Sequence, residues 1–315
     1  MKQIKDALKS AKSALIIAHI DPDGDTIGSM LAMSMLLNKL GIVTDLYSED
    51  GIPRIYRFLP RVGDVKNSVA DLAPNYDLAI TVDAAGLKRI GKQIDLKKIG
   101  ARSINIDHHP DNTAYADINY IEKASSAAEL VYRLANYLKI DLDYEIALCL
   151  YVALVTDTGN FRYENTTRFT FNMAAHLLDL GVKPPMITSM IYDTRSVPAI
   201  RILAEALLKM KFEANNRIVW STITDEMMEK TGAKGEDLMG IVDHLRSIKG
   251  VEVAILMREY RDKVKVNFRS KEKVSVQQIA KDLGGGGHIR AAGAIVSGSV
   301  ETAEKKVIAT SVKYL

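Results

Sequence analysis

Ala14-Leu15-Ile16-Ile17-Ala18-His19-Ile20-Asp21-Pro22-Asp23-Gly24-Asp25-Thr26-Ile27-Gly28-Ser29 decides how this chain is read. Its first five residues are an uninterrupted apolar run of strand length, the pattern of a parallel strand buried on both faces. After Ser29 comes Met30-Leu31-Ala32-Met33-Ser34-Met35-Leu36-Leu37, which reads as a buried helix. The turn between them therefore carries one imidazole and three carboxylates within seven residues. Open α/β sheets place their sites at such strand-to-helix turns. Groups packed this tightly repel one another unless a cation sits among them.

Outward from that turn, strand and helix patterns alternate. The expected order is strand Ala14–Ile20, helix Thr26–Leu40 ended by Gly41, strand Ile42–Ser48, short helix Pro53–Leu59, strand Tyr76–Val82 and strand Ala101–Ile106. This alternation predicts right-handed crossovers and an α/β domain with a mainly parallel sheet of four strands or so, flanked by helices. Helical patterns follow at Ser125–Leu138, Tyr144–Val155 and Thr167–Leu180. The expected domains are 1–183, catalytic and metal-binding; 184–212, a helical linker built from Pro185–Asp193 and Pro198–Phe212; and 213–315, a smaller α+β domain with a mixed sheet. The last contains strands Arg217–Ile223, Val251–Glu259, Lys263–Phe268 and Ala294–Val296. Its helices are Asp225–Lys230, Glu236–Ile248, Val274–Leu283 and Val300–Tyr314, and Arg261-Asp262 makes a tight hairpin turn.

The chain has 315 residues, 47% of them apolar, with 42 basic against 39 acidic side chains, so it can bury two cores and has no basic excess of the kind a long duplex demands. Its single cysteine, Cys149, lies in an apolar helical run and is read as a small buried hydrophobe. Met1 to Ser13 is a charged amphipathic pattern rather than a leader, and no apolar run approaches the roughly 18 residues of a membrane span. The expectation is a cytoplasmic protein.

Three further acidic clusters sit at element ends. Asp83 closes the apolar strand Asp77–Val82. Asp107-His108-His109 closes another, where neighbouring residues point to opposite sides and the two histidines therefore take different roles. Thr156-Asp157-Thr158-Gly159 follows an all-apolar helix. A carboxylate there is opposed by the helix dipole and needs a cation to justify it. Together with His19, Asp23 and Asp25 these are mixed imidazole and carboxylate donors with no thiolate, a set suited to Mn²⁺, Mg²⁺ or Co²⁺. More carboxylates than one ion needs points to two ions about 3.5–4 Å apart, the arrangement that holds a hydroxide and clamps a phosphoryl oxygen. Asp21 is read as a turn residue. Arg162, His176 and His244 are left without a role.

His19-x-x-Pro22-Asp23-Gly24-Asp25, Asp83, Asp107-His108-His109 and Thr156-Asp157-Thr158-Gly159 resemble the four signature motifs of the DHH phosphoesterase superfamily. Gly284 to Gly287, His288 and Ala291-Ala292-Gly293 resemble the glycine-rich motif of the DHH-associated substrate domain. At this length the chain is most similar to the nanoRNase/pAp-phosphatase branch. The resemblance implies that His19, Asp23 and Asp83 hold one ion, and that Asp25, Asp83, His108 and Asp157 hold a second, most simply Mn²⁺. Asp107 would support from behind, with His109 contacting phosphate and assisting proton transfer. It implies substrate binding by Arg269, Ser270, Gly285, Gly286, Gly287 and His288. The implied function is hydrolysis of short oligoribonucleotides, pApA or 3′-phosphoadenosine 5′-phosphate (pAp) to mononucleotides, with cyclic-di-AMP phosphodiesterase as the alternative. A manganese pyrophosphatase lacks the glycine loop, a RecJ-like exonuclease needs a longer chain, and a non-catalytic nucleotide sensor does not need intact ligands at every motif. The partners implied are a short RNA or nucleotide, with no long duplex and no membrane; a homodimer is compatible with all of this.

Overall fold

The apolar runs of the first half become parallel strands. The computed structural model, which describes residues 1–315, places six in one sheet: β1 (Ser13–Ile17), β2 (Val43–Tyr47), β3 (Val65–Lys66), β4 (Tyr76–Val82), β5 (Gly100–Asp107) and β6 (Ile118–Ile121). Their spatial order is β3-β2-β1-β4-β5-β6, with every neighbouring pair parallel. The chain builds outward from β1 to β3, then returns to build β4, β5 and β6 on the other side. The strand order thus reverses between β1 and β4, and a crevice opens beyond their carboxyl ends. Six strands replace the four or so expected, because β3 has two residues and β6 four, too few to register as apolar runs.

Alternation along β1 assigns the two faces. Ala14 and Ile16 join a core with α2 (Gly24–Lys39), α4 (Ala127–Leu138) and α5 (Tyr144–Asp157). Leu15 and Ile17 join a smaller core with Tyr47, Ala79 and Leu96, the last from the short helix α3 (Leu96–Ile99). α1 (Lys2–Leu8), α6 (Arg168–Asp179) and α7 (Pro184–Tyr192) complete the helices of this unit. α5 is buried without interruption from Ile146 to Val155, as its all-apolar sequence requires.

α2 and α5 run antiparallel in very close contact. A Cβ on Gly28 would lie 2.3 Å from the Cys149 carbonyl oxygen and 2.8 Å from Ala153 Cβ, and one on Gly24 would lie 2.4 Å from Thr156 Oγ1. Only glycine permits this approach. It fixes the first turn of α2 against the last turn of α5.

The chain divides into two units, Met1–Thr194 and Arg195–Leu315. The segment expected as a helical linker is shared between them. α7 gives Ile187 and Ile191 to the first core, and α8 (Val197–Leu208) gives Ile202 and Ala206 to a core of the second. The second unit holds β7 (Lys211–Glu213), β8 (Ile218–Ile223), β9 (Val253–Tyr260), β10 (Lys263–Ser270), β11 (Gly286–Gly287) and β12 (Ala291–Ser297), in the order β11-β12-β10-β9-β8-β7. Only β8 and β9 pair in parallel. One face packs on α11 (Val276–Asp282) and α12 (Val300–Val312), the other on α8, α9 (Asp225–Thr231) and α10 (Ile241–Arg246).

Two expected helices are corrected here. The pattern from Pro198 stops at Leu208, and Phe212 belongs to β7, paired with Val219. The span Glu236–Ile248 is broken: a 3₁₀ turn, Gly235–Leu238, precedes α10, and Gly240 between them has φ +80°. The β9–β10 hairpin turns at Arg261 and Asp262 as expected. No helix is long and apolar enough to cross a membrane.

Candidate metal centre and active site

Asp83 is the centre of the site. It follows β4, keeps its N–H on the Ile106 carbonyl at 3.0 Å, and turns at φ +57°, a left-handed conformation that Asp tolerates better than most residues. That turn aims a buried carboxylate into the crevice. Thr26 Oγ1 donates to Asp83 Oδ2 at 2.6 Å. Oδ1 is buried and accepts no hydrogen bond.

The imidazoles and carboxylates expected from sequence gather around it. His19 Nε2 lies 3.4 Å from Asp83 Oδ2 and 3.9 Å from Asp23 Oδ1. Its Nδ1 lies 2.7 Å from the Ile20 carbonyl, an acceptor only, so Nδ1 carries the proton and Nε2 offers its lone pair. His108 Nε2 lies 3.5 Å from Asp83 Oδ1, 3.6 Å from Asp157 Oδ2 and 3.7 Å from Asp25 Oδ2, while its Nδ1 faces the Ala124 carbonyl at 3.2 Å. Asp83 is thereby common to three donor groups, His19–Asp23–Asp83, Asp25–Asp83–His108 and Asp83–Asp107–His109.

Each carboxylate is positioned locally. Asp23 is the N-cap of α2, accepting the N–H groups of Asp25 and Thr26 on Oδ1 at 3.0 and 3.1 Å, and it is the exposed member. Asp25, on the first turn, reaches the N-terminus of α4. The N–H groups of Ala127 and Ala128 donate to it at 2.6 and 3.0 Å, and Ser29 Oγ at 3.0 Å. Asp157 is the last residue of α5, and Asn165 Nδ2 donates to its Oδ2 at 3.2 Å. Asp107, at the end of β5, is fully buried; its Oδ1 accepts from His109 Nδ1 at 2.7 Å and its Oδ2 from Asn112 Nδ2 at 2.5 Å. Asp107 therefore holds His109, with His109 Nδ1 also 3.5 Å from Asp83 Oδ1. Asp21 lies outside the group, exposed on a turn at φ +51° with its N–H on Asp50.

The charge balance of this cluster is poor without cations. Burial, then the charges of Asp83 and Asp157, push Asp25 well above the usual carboxylate range, against the donors from α4 and Ser29. Burial, with a contribution from Asp83, raises Asp157 to about 7, although His108 opposes the shift. Burial also works against ionised Asp83, but the neighbouring imidazoles of His108, His19 and His109 outweigh it and hold it well below the usual range. Burial opposes the charged forms of His108 and His109 too; Asp157, Asp83 and Asp25 raise the first, and the bond to Asp107 raises the second. Divalent cations among these side chains would relieve the conflict between burial and charge. The donor set is imidazole and carboxylate, and the buried Asp83 Oδ1 is left without a hydrogen bond. Both features fit such cations.

In the second unit Arg269 and Ser270 end β10. Arg269 Nε lies 3.8 Å from Asp243 Oδ1, and the Ser270 N–H donates to the Arg290 carbonyl at 3.0 Å. Gly285 to His288 form the near arm of a hairpin: Gly286 and Gly287 pair with Gly293 and Ala292, and the His288 N–H donates to the Ala291 carbonyl at 2.7 Å. A Cβ on Gly285 would lie 2.0 Å from the Gly293 carbonyl oxygen, so this glycine serves close strand approach. Gln277 Nε2 donates to the Gly287 carbonyl at 2.6 Å and fixes the hairpin.

Sequence reasoning missed the supporting residues Thr26, Ser29, Asn112, Asn165 and Gln277. Ser29 follows Asp25 by one helical turn and Asn112 follows His109 by three residues, so both had a local signal. Thr26 meets Asp83 across 57 positions and Asn165 meets Ser125 across 40, with none.

A parallel α/β sheet whose switch point gathers imidazoles and carboxylates around one shared carboxylate defines a divalent-cation hydrolase of the phosphoester class. Residues 13–154 match the DHH family N-terminal domain and residues 215–313 the DHHA1 domain. The chain is 34% identical over 300 residues to the bifunctional oligoribonuclease and PAP phosphatase NrnA of Thermus thermophilus, covering 95% of this chain and 89% of that one. It is 27% identical to the protein of the same name from Bacillus subtilis, covering 88% and 87%. The crystal structure of an exopolyphosphatase-related protein from Bacteroides fragilis superposes with a TM-score of 0.92 at 28% identity, over 99% of this chain and 95% of that one. The chain belongs to the DHH phosphoesterase family, in the branch that joins a DHH domain to a DHHA1 domain and includes the NrnA proteins.

Proposed function

We propose that this enzyme hydrolyses short oligoribonucleotides, including pApA, and the 3′-phosphate of pAp, releasing mononucleotides, with Mn²⁺ as its cation. The observation that supports this most directly is the convergence of donor groups on Asp83. His19, Asp23 and Asp83 would hold one cation, and Asp25, Asp83, His108 and Asp157 the other. When bound, the cations supply a water of lowered pKa and neutralise charge on the phosphoryl oxygens.

The remaining work falls to the chain's own side chains. Asp107 keeps the His109 Nδ1 proton directed at its carboxylate, which leaves Nε2 to face a substrate oxygen. Burial works against a charged His109, but the bond to Asp107 outweighs it and raises its pKa, the direction that suits a group giving a proton to the leaving oxygen. Asn112 bridges Asp107 to the Ala84 carbonyl, tying this support to the turn that carries Asp83. Arg269, Ser270 and the Gly285–His288 hairpin are assigned the grip on the rest of the nucleotide, through a planar donor and glycine N–H groups that no side chain screens.

The domain assignment proposed with this is catalysis in 1–183 and nucleotide binding in 213–315. The test is incubation with Mn²⁺ and pAp, pApA, tri- to pentaribonucleotides and cyclic-di-AMP, with products resolved by chromatography. AMP from pAp and pApA, absent in D83A, is the expected result. Conversion of cyclic-di-AMP alone would select the cyclic-dinucleotide reading, and no turnover of any compound would refute both.

A further inference from the structure

Arg89 is a cation at the edge of the cluster with no role in the preceding account. It lies in the 3₁₀ turn Leu87–Arg89, a few residues after Asp83. Its backbone is committed: the carbonyl accepts the Ile20 N–H at 2.7 Å and its own N–H donates to the Gly86 carbonyl at 2.8 Å. These bonds tie the segment after β4 to the loop that carries His19. The side chain is not committed in this way. Arg89 is exposed, and Nη2 lies 3.2 Å from His19 Nδ1. That nitrogen donates to the Ile20 carbonyl, so the guanidinium is its neighbour and not its hydrogen-bond donor.

No carboxylate pairs with Arg89, although Asp23 and Asp83 lie within 3.9 Å of the same imidazole. An arginine beside an anionic cluster normally closes on a carboxylate. Here Asp83 is buried, Asp23 is exposed but unpaired with Arg89, and the guanidinium stays exposed at the rim. Guanidinium matches phosphate in a bidentate fashion, and fixed donors aimed at developing charge are among the strongest catalytic contributions.

We propose that Arg89 is a catalytic residue that binds a non-bridging oxygen of the phosphoryl group held at the cluster. This rests on the phosphoesterase reading of the site but not on which nucleotide is hydrolysed. Because the backbone contacts survive any side-chain change, substitution isolates the guanidinium.

The experiment compares wild type, R89M and R89K in calorimetric titrations of the metal-free proteins with Mn²⁺ and then of the Mn²⁺-loaded proteins with inorganic phosphate, alongside thermal melts and pApA kinetics. The expected result is unchanged melting and Mn²⁺ affinity, phosphate affinity at least tenfold weaker in R89M, and kcat/KM lower by about 10²–10³, with R89K intermediate. Unchanged phosphate affinity in R89M, absence of phosphate binding by wild type, or a loss that tracks weakened Mn²⁺ binding would each overturn the proposal. If wild type binds phosphate but leaves every nucleotide intact, it is the substrate assignment that fails, and the phosphate titration still judges Arg89.

Discussion

Replacing Gly28 by alanine tests whether the close approach of two helices sets the metal cluster. The new methyl would sit 2.3 Å from the Cys149 carbonyl oxygen, whereas real Cβ atoms essentially never come within 3.0 Å of such a neighbour, so α2 and α5 must separate by at least about 0.7 Å. Overpacking of this kind costs about 1–3 kcal/mol. Alanine's better helix propensity returns up to about 1 kcal/mol. The net loss, about 1–2 kcal/mol, lowers Tm by about 2–8 °C for a unit of this size. The same displacement moves Asp25 against Asp157, and both lie within 3.7 Å of His108 Nε2. Ligand geometry disturbed by that amount should weaken Mn²⁺ binding by tenfold or more. Thermal melts with and without Mn²⁺, and a calorimetric Mn²⁺ titration, read both effects. Gly63, where an added Cβ meets nothing within 4 Å, provides the control G63A, expected to change Tm by under about 1 °C. Wild-type Tm and Mn²⁺ affinity in G28A would refute the argument that helix contact positions the ligands.

Further outcomes follow from the geometry. D83N should fold, since Asn also tolerates the left-handed turn, yet lose at least about 10³-fold in kcat and most Mn²⁺ binding by calorimetry. In metal-free protein, Asp157 has its pKa raised from 3.8 to about 7, so the folded state holds a proton that the unfolded state has released. Its contribution to stability therefore falls as pH rises from about 4 to 7, by at most about 4 kcal/mol, less because the side chain is 16% exposed; urea melts of the apoprotein should show this slope, and D157N should have a shallower one, with Asp25 supplying the remainder. Below pH 7, Mn²⁺ binding should release protons, measurable by titration in buffers of different ionisation enthalpy. N112L should lower kcat about tenfold with little change in Mn²⁺ affinity, by loosening Asp107 and through it His109, while R269A should raise KM for pApA with kcat nearly intact.

The site was more legible than the fold around it, for a physical reason. Buried strands and α5 announce themselves by apolar content, and a charge at the end of such a run stands out; Asp157 was visible on those grounds, whereas Asp83 gained weight only beside the other acidic clusters. β4 was read to the residue because six of its seven positions carry strand-forming or apolar character; the exception, Asp77, caps the backbone of Lys12 and Ser13 at the amino-terminal end of the strand. β6 was not read, since Ile118-Asn119-Tyr120-Ile121 alternates too briefly after a polar stretch. Phe212 was drawn into a helix because the 3.6-residue period continues past Leu208, and only pairing with β8 converts it to a strand. Thr26 and Asn165 do nothing recognisable until Asp83 and Ser125 are brought to them by the fold, 57 and 40 positions away.

The left-handed joint at position 83 has an evolutionary corollary. Most side chains would strain that backbone, and only aspartate both fits it and supplies the shared charge. Asparagine fits it without the charge, and a single-nucleotide change connects the two. One base change at this codon would therefore remove the charge that the donor groups share while leaving the backbone unstrained, so the scaffold and its metal chemistry can be separated by a single substitution.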